Sequence, residues 1–173
     1  TTGRDRPDGP QLPAAQPSPL TSGDCWEGEP ALSPDGQRVA YASNHDGQFD
    51  LDVVAVAGGA PLRLTDHPAS DRKPAWFPDG NTLAFVSRRQ GRDDIWVTGR
   101  FGDGARLLLN DADDPAISPD GLNLAFTRRD LSGKGRVFVA DLDRLDTPRQ
   151  LTHNSQQGLW DHREPAWSHD GRR

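Results

Sequence analysis

Pro30-Ala-Leu-Ser-Pro-Asp-Gly36 returns in this chain as Pro74-Ala-Trp-Phe-Pro-Asp-Gly80, as Pro115-Ala-Ile-Ser-Pro-Asp-Gly121 and as Pro165-Ala-Trp-Ser-His-Asp-Gly171. The copies begin 44, 41 and 50 residues apart, a period at which a repeat architecture is the first thing to test. After each of the first three copies comes an apolar segment of strand character: Arg38 to Ser43, Thr82 to Ser87 and Asn123 to Thr127. A further strand is expected at Asp50 to Val56, Asp94 to Thr98 and Arg136 to Asp141, and a closing one at Pro61 to Thr65, Ala105 to Leu109 and Pro148 to Thr152. The Asp-Gly pairs supply tight turns between first and second strands, and a Pro heading a strand is tolerated because that position need not donate to the ladder.

Four short antiparallel strands in 40 to 50 residues is the size of a β-propeller blade, which buries its faces only by stacking on its neighbours. The expected fold is therefore all-β, with three whole blades and partial flanking ones over residues 20–173. Residues Thr1 to Pro19 hold five Pro and one large aliphatic residue, Leu12, and read as a flexible linker. Gln16 to Thr21 aligns with Thr147 to Thr152, so the chain is expected to begin at the last strand of a preceding blade and to stop after the first strand of a following one. Open blade edges of this kind favour self-association.

Composition narrows the function. The net charge is −6, and of the 20 basic residues only Lys73 and Lys134 are lysine. That balance argues against a nucleic-acid surface, which needs a concentrated basic patch. Cys25 is the single cysteine, so neither an intrachain disulfide nor a zinc site built on several thiolates can form. No apolar run approaches a membrane span, and the N-terminus lacks the apolar core of a signal peptide, which leaves a cytosolic protein or one whose targeting segment has been removed.

The phrase Pro-Ala-Trp-Ser-x-Asp-Gly, then Leu-Ala-Phe, Asp-Ile-Trp-Val and Pro-Arg-Gln-Leu-Thr, resembles the TolB-like WD-type β-propeller repeat over about residues 20 to 173. The stretch from Ser43 to Pro68 also resembles the propellers of tricorn-type proteases and, more loosely, of the prolyl oligopeptidase family. Phe77 and His169 depart from the phrase. The resemblance implies a six- or seven-bladed parent. It further implies a non-catalytic, periplasmic or extracytoplasmic scaffold for protein or peptide partners. The alternatives it leaves open are an accessory, substrate-gating propeller of a larger serine peptidase and the sensor domain of a kinase or regulator.

No nucleophile elbow, His-Glu-x-x-His helix or phosphate loop is present, and Ser132-Gly-Lys-Gly135 reads as a hairpin loop. No nucleophile and base are expected in a catalytic setting, and no cofactor is implied. Trp76, Trp96 and Trp167 read as blade packing, His67 and His153 as loop histidines, and Asp50 and Asp52 as one solvated strand face. Trp26 and Trp160 fall in loops leading to the innermost strand, where they could meet a partner. Acids precede that strand in every repeat: Asp24, Glu27 and Glu29; Asp71; Asp113 and Asp114; Asp161 and Glu164. Radial repetition would gather them at one rim of the channel, as a negative ring able to hold a basic peptide or a calcium ion. The competing reading is ordinary solvated acids interspersed with Arg72, Lys73 and Arg163.

Overall fold

A computed structural model describes residues 18–22, 24–153 and 161–171. The linker expected at 1–19 lies outside them except for its last two residues, and Trp160 lies outside them altogether. The described residues contain no helix and form three antiparallel sheets of four strands. Blade 1 runs β1 (Glu27–Leu32), β2 (Arg38–Ser43), β3 (Asp50–Ala55) and β4 (Leu62–Arg63). Blade 2 runs β5 (Asp71–Trp76), β6 (Thr82–Ser87), β7 (Asp94–Gly99) and β8 (Arg106–Leu109). Blade 3 runs β9 (Asp113–Ile117), β10 (Asn123–Arg129), β11 (Gly135–Asp141) and β12 (Arg149–Gln150). Within each sheet the strands stand in chain order. Residues 18–22 and 161–171 form no strand, although Trp167 and the Ser168 to Gly171 turn repeat the bonds of their counterparts.

Each Asp-Gly turn is built the same way. The glycine N–H donates to the carbonyl three residues back, at Ser33, Phe77, Ser118 and Ser168, and all four glycines sit at φ between 63° and 73°. The serine hydroxyls of Ser33 and Ser118 and the backbone N–H groups of Gln37 and Leu122 donate to Asp35 and Asp120, holding both carboxyls below their ordinary range. Phe77 offers no hydroxyl, and Thr82 supplies it to Asp79 instead.

The blades bury apolar surface at their seams rather than within any one sheet. Ala40, Ala42, Leu51 and Val53 of blade 1 pack on Trp76, Leu83 and Phe85 of blade 2. Ala84, Ile95 and Val97 on the other face of blade 2 pack on Leu124, Phe126 and Ala140 of blade 3. The alternation of side chains along a strand makes this possible, since Leu83 and Phe85 face one neighbour while Ala84 faces the other. The indole N–H groups of Trp76 and Trp167 each donate 3.0 Å bonds across a seam, to the carbonyls of Ala31 and Ala116. Ile117 stands at the equivalent position of blade 3 and cannot.

The innermost strand differs from expectation at its start. It begins two or three residues before the proline, so Glu27, Glu29, Asp71, Asp113 and Asp114 are strand residues and not loop residues. The strand survives the proline because Glu29-Pro30, Lys73-Pro74 and Asp114-Pro115 each stand as two residues opposite one, Tyr41, Phe85 or Phe126. Such a bulge needs no ladder donor where the proline lacks one.

Candidate functional site

The bulge requires a left-handed residue before each proline. Glu29, Lys73, Asp114 and Glu164 occupy it with φ of 52–53°, a conformation that is uncommon for residues other than Gly, Asn and Asp. With Pro30, Pro74, Pro115 and Pro165 they line a cavity of ≈ 380 Å³ on the axial side of the blades. Successive members are bonded to one another. The Glu29 carboxylate accepts from the Lys73 backbone N–H at 3.0 Å, and that of Asp114 accepts from Glu164 N–H at 3.4 Å. Lys73 has no acceptor to offer the next blade, so the Asp114 N–H turns to Asp113 at 2.8 Å while the Lys73 ammonium binds Asp113 at 2.7 Å and Asp114 at 2.6 Å. Burial opposes the charge on Lys73, but the two carboxylates outweigh it and raise its pKa. The expected ring of carboxylates is thus interrupted by a cation.

A second cavity of ≈ 380 Å³ adjoins the first through Lys73. It is a cup in which Arg72, Lys73, Arg88, Arg129 and Arg163 outnumber the acids Asp93 and Asp113. Repetition builds it: Arg72, Asp113 and Arg163 stand two before the proline in successive repeats, and Arg88 and Arg129 stand three after the Phe of Leu-Ala-Phe. Arg72 pairs with Glu29 at 3.1 Å, Arg88 with Asp93 at 2.6 Å and Arg163 with Asp161 at 3.0 Å. The hydrogen bond from Arg88 holds Asp93 ionised below its ordinary range. Arg129 has no carboxylate at ion-pair distance among the described residues and donates to the Gly133 carbonyl. Counted with Glu29, Asp114 and Asp161, which pair with its cations from outside, five acids meet the five cations of the cup, and Arg129 is its one cation without a carboxylate partner among the described residues.

Of the eight acids singled out from the sequence, Glu29, Asp113, Asp114 and Glu164 meet at this mouth. Asp71 does not, being wholly buried against Arg89 at 2.6 Å. Asp161 accepts from Gly135 N–H and Arg163, and those bonds lower its pKa to about 2. Asp24 is exposed, and Glu27 accepts from the Thr21 hydroxyl. Trp26 is exposed, set edge-on to Phe49 at 5.0 Å, with the Arg72 guanidinium over its ring. Asp50 and Asp52 correct the expectation of a solvated face, being 3% and 5% exposed. Asp50 is buried because Arg63 neutralises it at 2.5 Å, and Asp52 because the Ser43 hydroxyl donates to it.

Sequence reading missed two groupings. The cationic cup was legible in principle from the repeated offsets of its arginines. The other was not, since Cys25 and His45 are twenty residues apart and no other repeat has either at those positions. The structure places Cys25 Sγ 3.6 Å from His45 Nε2. A catalytic Cys-His pair needs a third group, such as Asp or Asn, that orients the imidazole from its other nitrogen. Here Asp52 approaches the same Nε2, at 4.0 Å, so the geometry is convergence on one atom and not a relay.

The family described as TolB beta propeller domain matches residues 11–173. Among solved structures, a TolB protein of Agrobacterium tumefaciens is 26% identical with a TM-score of 0.61, over 69% of this chain and 47% of that one. TolB of Acinetobacter baumannii is 22% identical with a TM-score of 0.67, over 83% and 35%. A puromycin-hydrolyzing peptidase of Mycobacterium tuberculosis is 24% identical with a TM-score of 0.61, over 83% and 23%. The chain thus spans less than half the length of each. No curated protein sequence matches it.

Proposed function

Because the chain belongs to the TolB β-propeller domain family, we propose that it is a recognition module with no chemistry of its own, docking a protein or peptide segment at the axial mouth. One observation carries this reading: Arg129, with no carboxylate at ion-pair distance among the described residues, stands beside Arg72, Lys73, Arg88 and Arg163 in a cup that opens onto the proline-lined cavity. Concave walls focus the field of such a cluster, and Arg forks recognise carboxylates in a defined geometry. The favoured ligand is therefore a segment bearing Asp, Glu or a terminal carboxylate over the cup, with its body against the prolines. This ligand has the opposite charge to the one the acids alone suggested, because Arg88 follows and Arg129 ends the second strand of its blade, and both join Arg72, Lys73 and Arg163 only when the blades stack. An extracytoplasmic setting goes with the family likeness. Among the described residues no helix is long and apolar enough to cross a membrane.

The test is a fluorescence titration with two labelled peptide pools of equal length, one rich in Asp and Glu, the other in Lys and Arg. The acidic pool should bind, more weakly as salt rises, and Arg129→Glu should abolish that binding while leaving the fold intact. Equal binding of both pools, or indifference to Arg129→Glu, overturns the reading.

A further inference from the structure

We propose that Cys25, Glu27 and His45 form a binding site for a zinc-class divalent cation on the outer face of blade 1, independent of the axial mouth. The ligand atoms of the three residues lie within 4.8 Å of one another. Tetrahedral zinc has Zn–S of about 2.3 Å and Zn–N of about 2.0–2.1 Å, which sets the sulfur and nitrogen about 3.5–3.6 Å apart across one edge of the tetrahedron. Cys25 Sγ and His45 Nε2 stand 3.6 Å apart. Asp52 Oδ2 approaches the same nitrogen at 4.0 Å. A thiolate, an imidazole and a carboxylate together suit zinc, whereas calcium prefers an all-oxygen shell.

Local structure holds the three groups in place. The Asn44 side chain accepts from Trp26 N–H at 2.9 Å, and Asn44 N–H donates to the Trp26 carbonyl at 3.2 Å. Phe49, at the far end of the β2–β3 loop, packs edge-on to the Trp26 ring. The loop carrying His45 is therefore fastened at both ends to the residue between Cys25 and Glu27. Each carboxylate also has a hydroxyl fixing it, Thr21 for Glu27 and Ser43 for Asp52, as outer-sphere partners of metal ligands do.

Two further observations support the site. The Tyr41 hydroxyl is buried without a hydrogen-bond partner, on a residue only 4% exposed. Tyr41 stands directly opposite Asp52 in the β2–β3 ladder, which sets the phenol on the same face as these groups. The second observation comes from the repeat itself. His45 and Glu27 occupy the positions of Arg89 and Asp71 in blade 2, as the pairings Glu27 with Ser43 and Asp71 with Ser87 show. Blade 2 neutralises Asp71 with the built-in guanidinium of Arg89 at 2.6 Å. Blade 1 keeps the acid, replaces the guanidinium with an imidazole and adds a thiol. A bound divalent ion would supply the charge that Arg89 supplies next door.

Cobalt(II) is the probe, because Cys25 is the chain's single thiol and any thiolate-to-cobalt charge-transfer band must come from it. The metal-free chain should bind one equivalent with such a band, and zinc should bleach it. Cys25→Ser should remove the band, and His45→Ala should weaken cobalt affinity by more than the about 10–100-fold typical of outer-sphere changes. Zinc should also slow alkylation of Cys25 in the unaltered chain at least about tenfold, as coordination withdraws the thiolate that reacts. No band in the unaltered chain, a band that survives Cys25→Ser, affinity unchanged in His45→Ala, or alkylation indifferent to zinc would each overturn the proposal.

Discussion

Blades 1 and 2 share a backbone and differ in what they put on one face. Tyr41, Asp52, Glu27 and His45 of blade 1 stand where blade 2 has Phe85, Trp96, Asp71 and Arg89. In blade 2 that face is a seam: Phe85 is wholly buried against blade 1, and Arg89 lies over the rings of Phe85 and Trp96 while pairing with Asp71. In blade 1 the same registers carry hydroxyl, carboxylate, imidazole and, alongside, thiol. The repeat fixes where side chains point and leaves open whether a position is a packing residue or a ligand.

Exchanging single residues between the two faces separates these roles. The largest effect is expected from Arg89→His. It leaves Asp71, with no exposed surface, beside an imidazole too short to replace the guanidinium, and breaking a buried pair in this way costs about 3–5 kcal/mol. Thermal melts of the variant measure it, and a loss below about 1 kcal/mol would show that the blade 2 pair is incidental to the seam. The reciprocal change, His45→Arg, should stabilise the metal-free chain by about 0–1 kcal/mol, since the new pair with Glu27 is partly exposed. It should also abolish any stabilisation by zinc, and calorimetry with and without the metal reads both. Tyr41→Phe removes a buried hydroxyl that has no partner, so denaturant midpoints should stay within about 1 kcal/mol of the parent or rise. A fall beyond that would mean the hydroxyl is bonded in solution.

The smallest effect is confined to acid. The folded-state pKa of Asp161 is lowered, from 3.8 to about 2, by the Arg163 side chain and Gly135 N–H. A lowered carboxylate contributes stability that is present above its unfolded pKa and lost as pH falls through the folded one. Asp161→Asn should therefore melt closer to the parent at pH near 2 than at pH 5. Parallel melting curves at the two pH values would refute the assigned bonds.

What the sequence revealed, and what it hid, follows from where the chemistry is encoded. The blades were legible because their punctuation is local: Asp-Gly turns recur, and the strands after Gly36, Gly80 and Gly121 fell within two residues of expectation. The start of the innermost strand was misread, since a proline signals a strand head unless a bulge removes the need for its N–H. At the rim, the acids stood out as a run before each proline, whereas Arg88 and Arg129 lie one hairpin later and reach the cup only once the blades stack. Asp50 and Asp52 looked solvated by alternation alone, because the burying partners Arg63 and Ser43 belong to other strands. His45 was invisible as the counterpart of Arg89 until strand register tied both to the same row.

The three seams differ in kind, and so in compliance. Trp76 and Glu29 tie blade 2 to blade 1, and Trp167 and Asp114 tie the fourth repeat to blade 3, each through a main-chain group. Between blades 2 and 3 both of those bonds are replaced, and apolar packing, the Ala112 N–H to Asp93 carbonyl bond and the ion pairs of Lys73 hold the seam. Ion pairs weaken with ionic strength in a way that indole-to-carbonyl bonds do not. The middle seam is thus the one of the three whose rim is held by the ion pairs of Lys73 in place of a carboxylate-to-main-chain bond, with Arg88 on one side of it and Arg129 on the other.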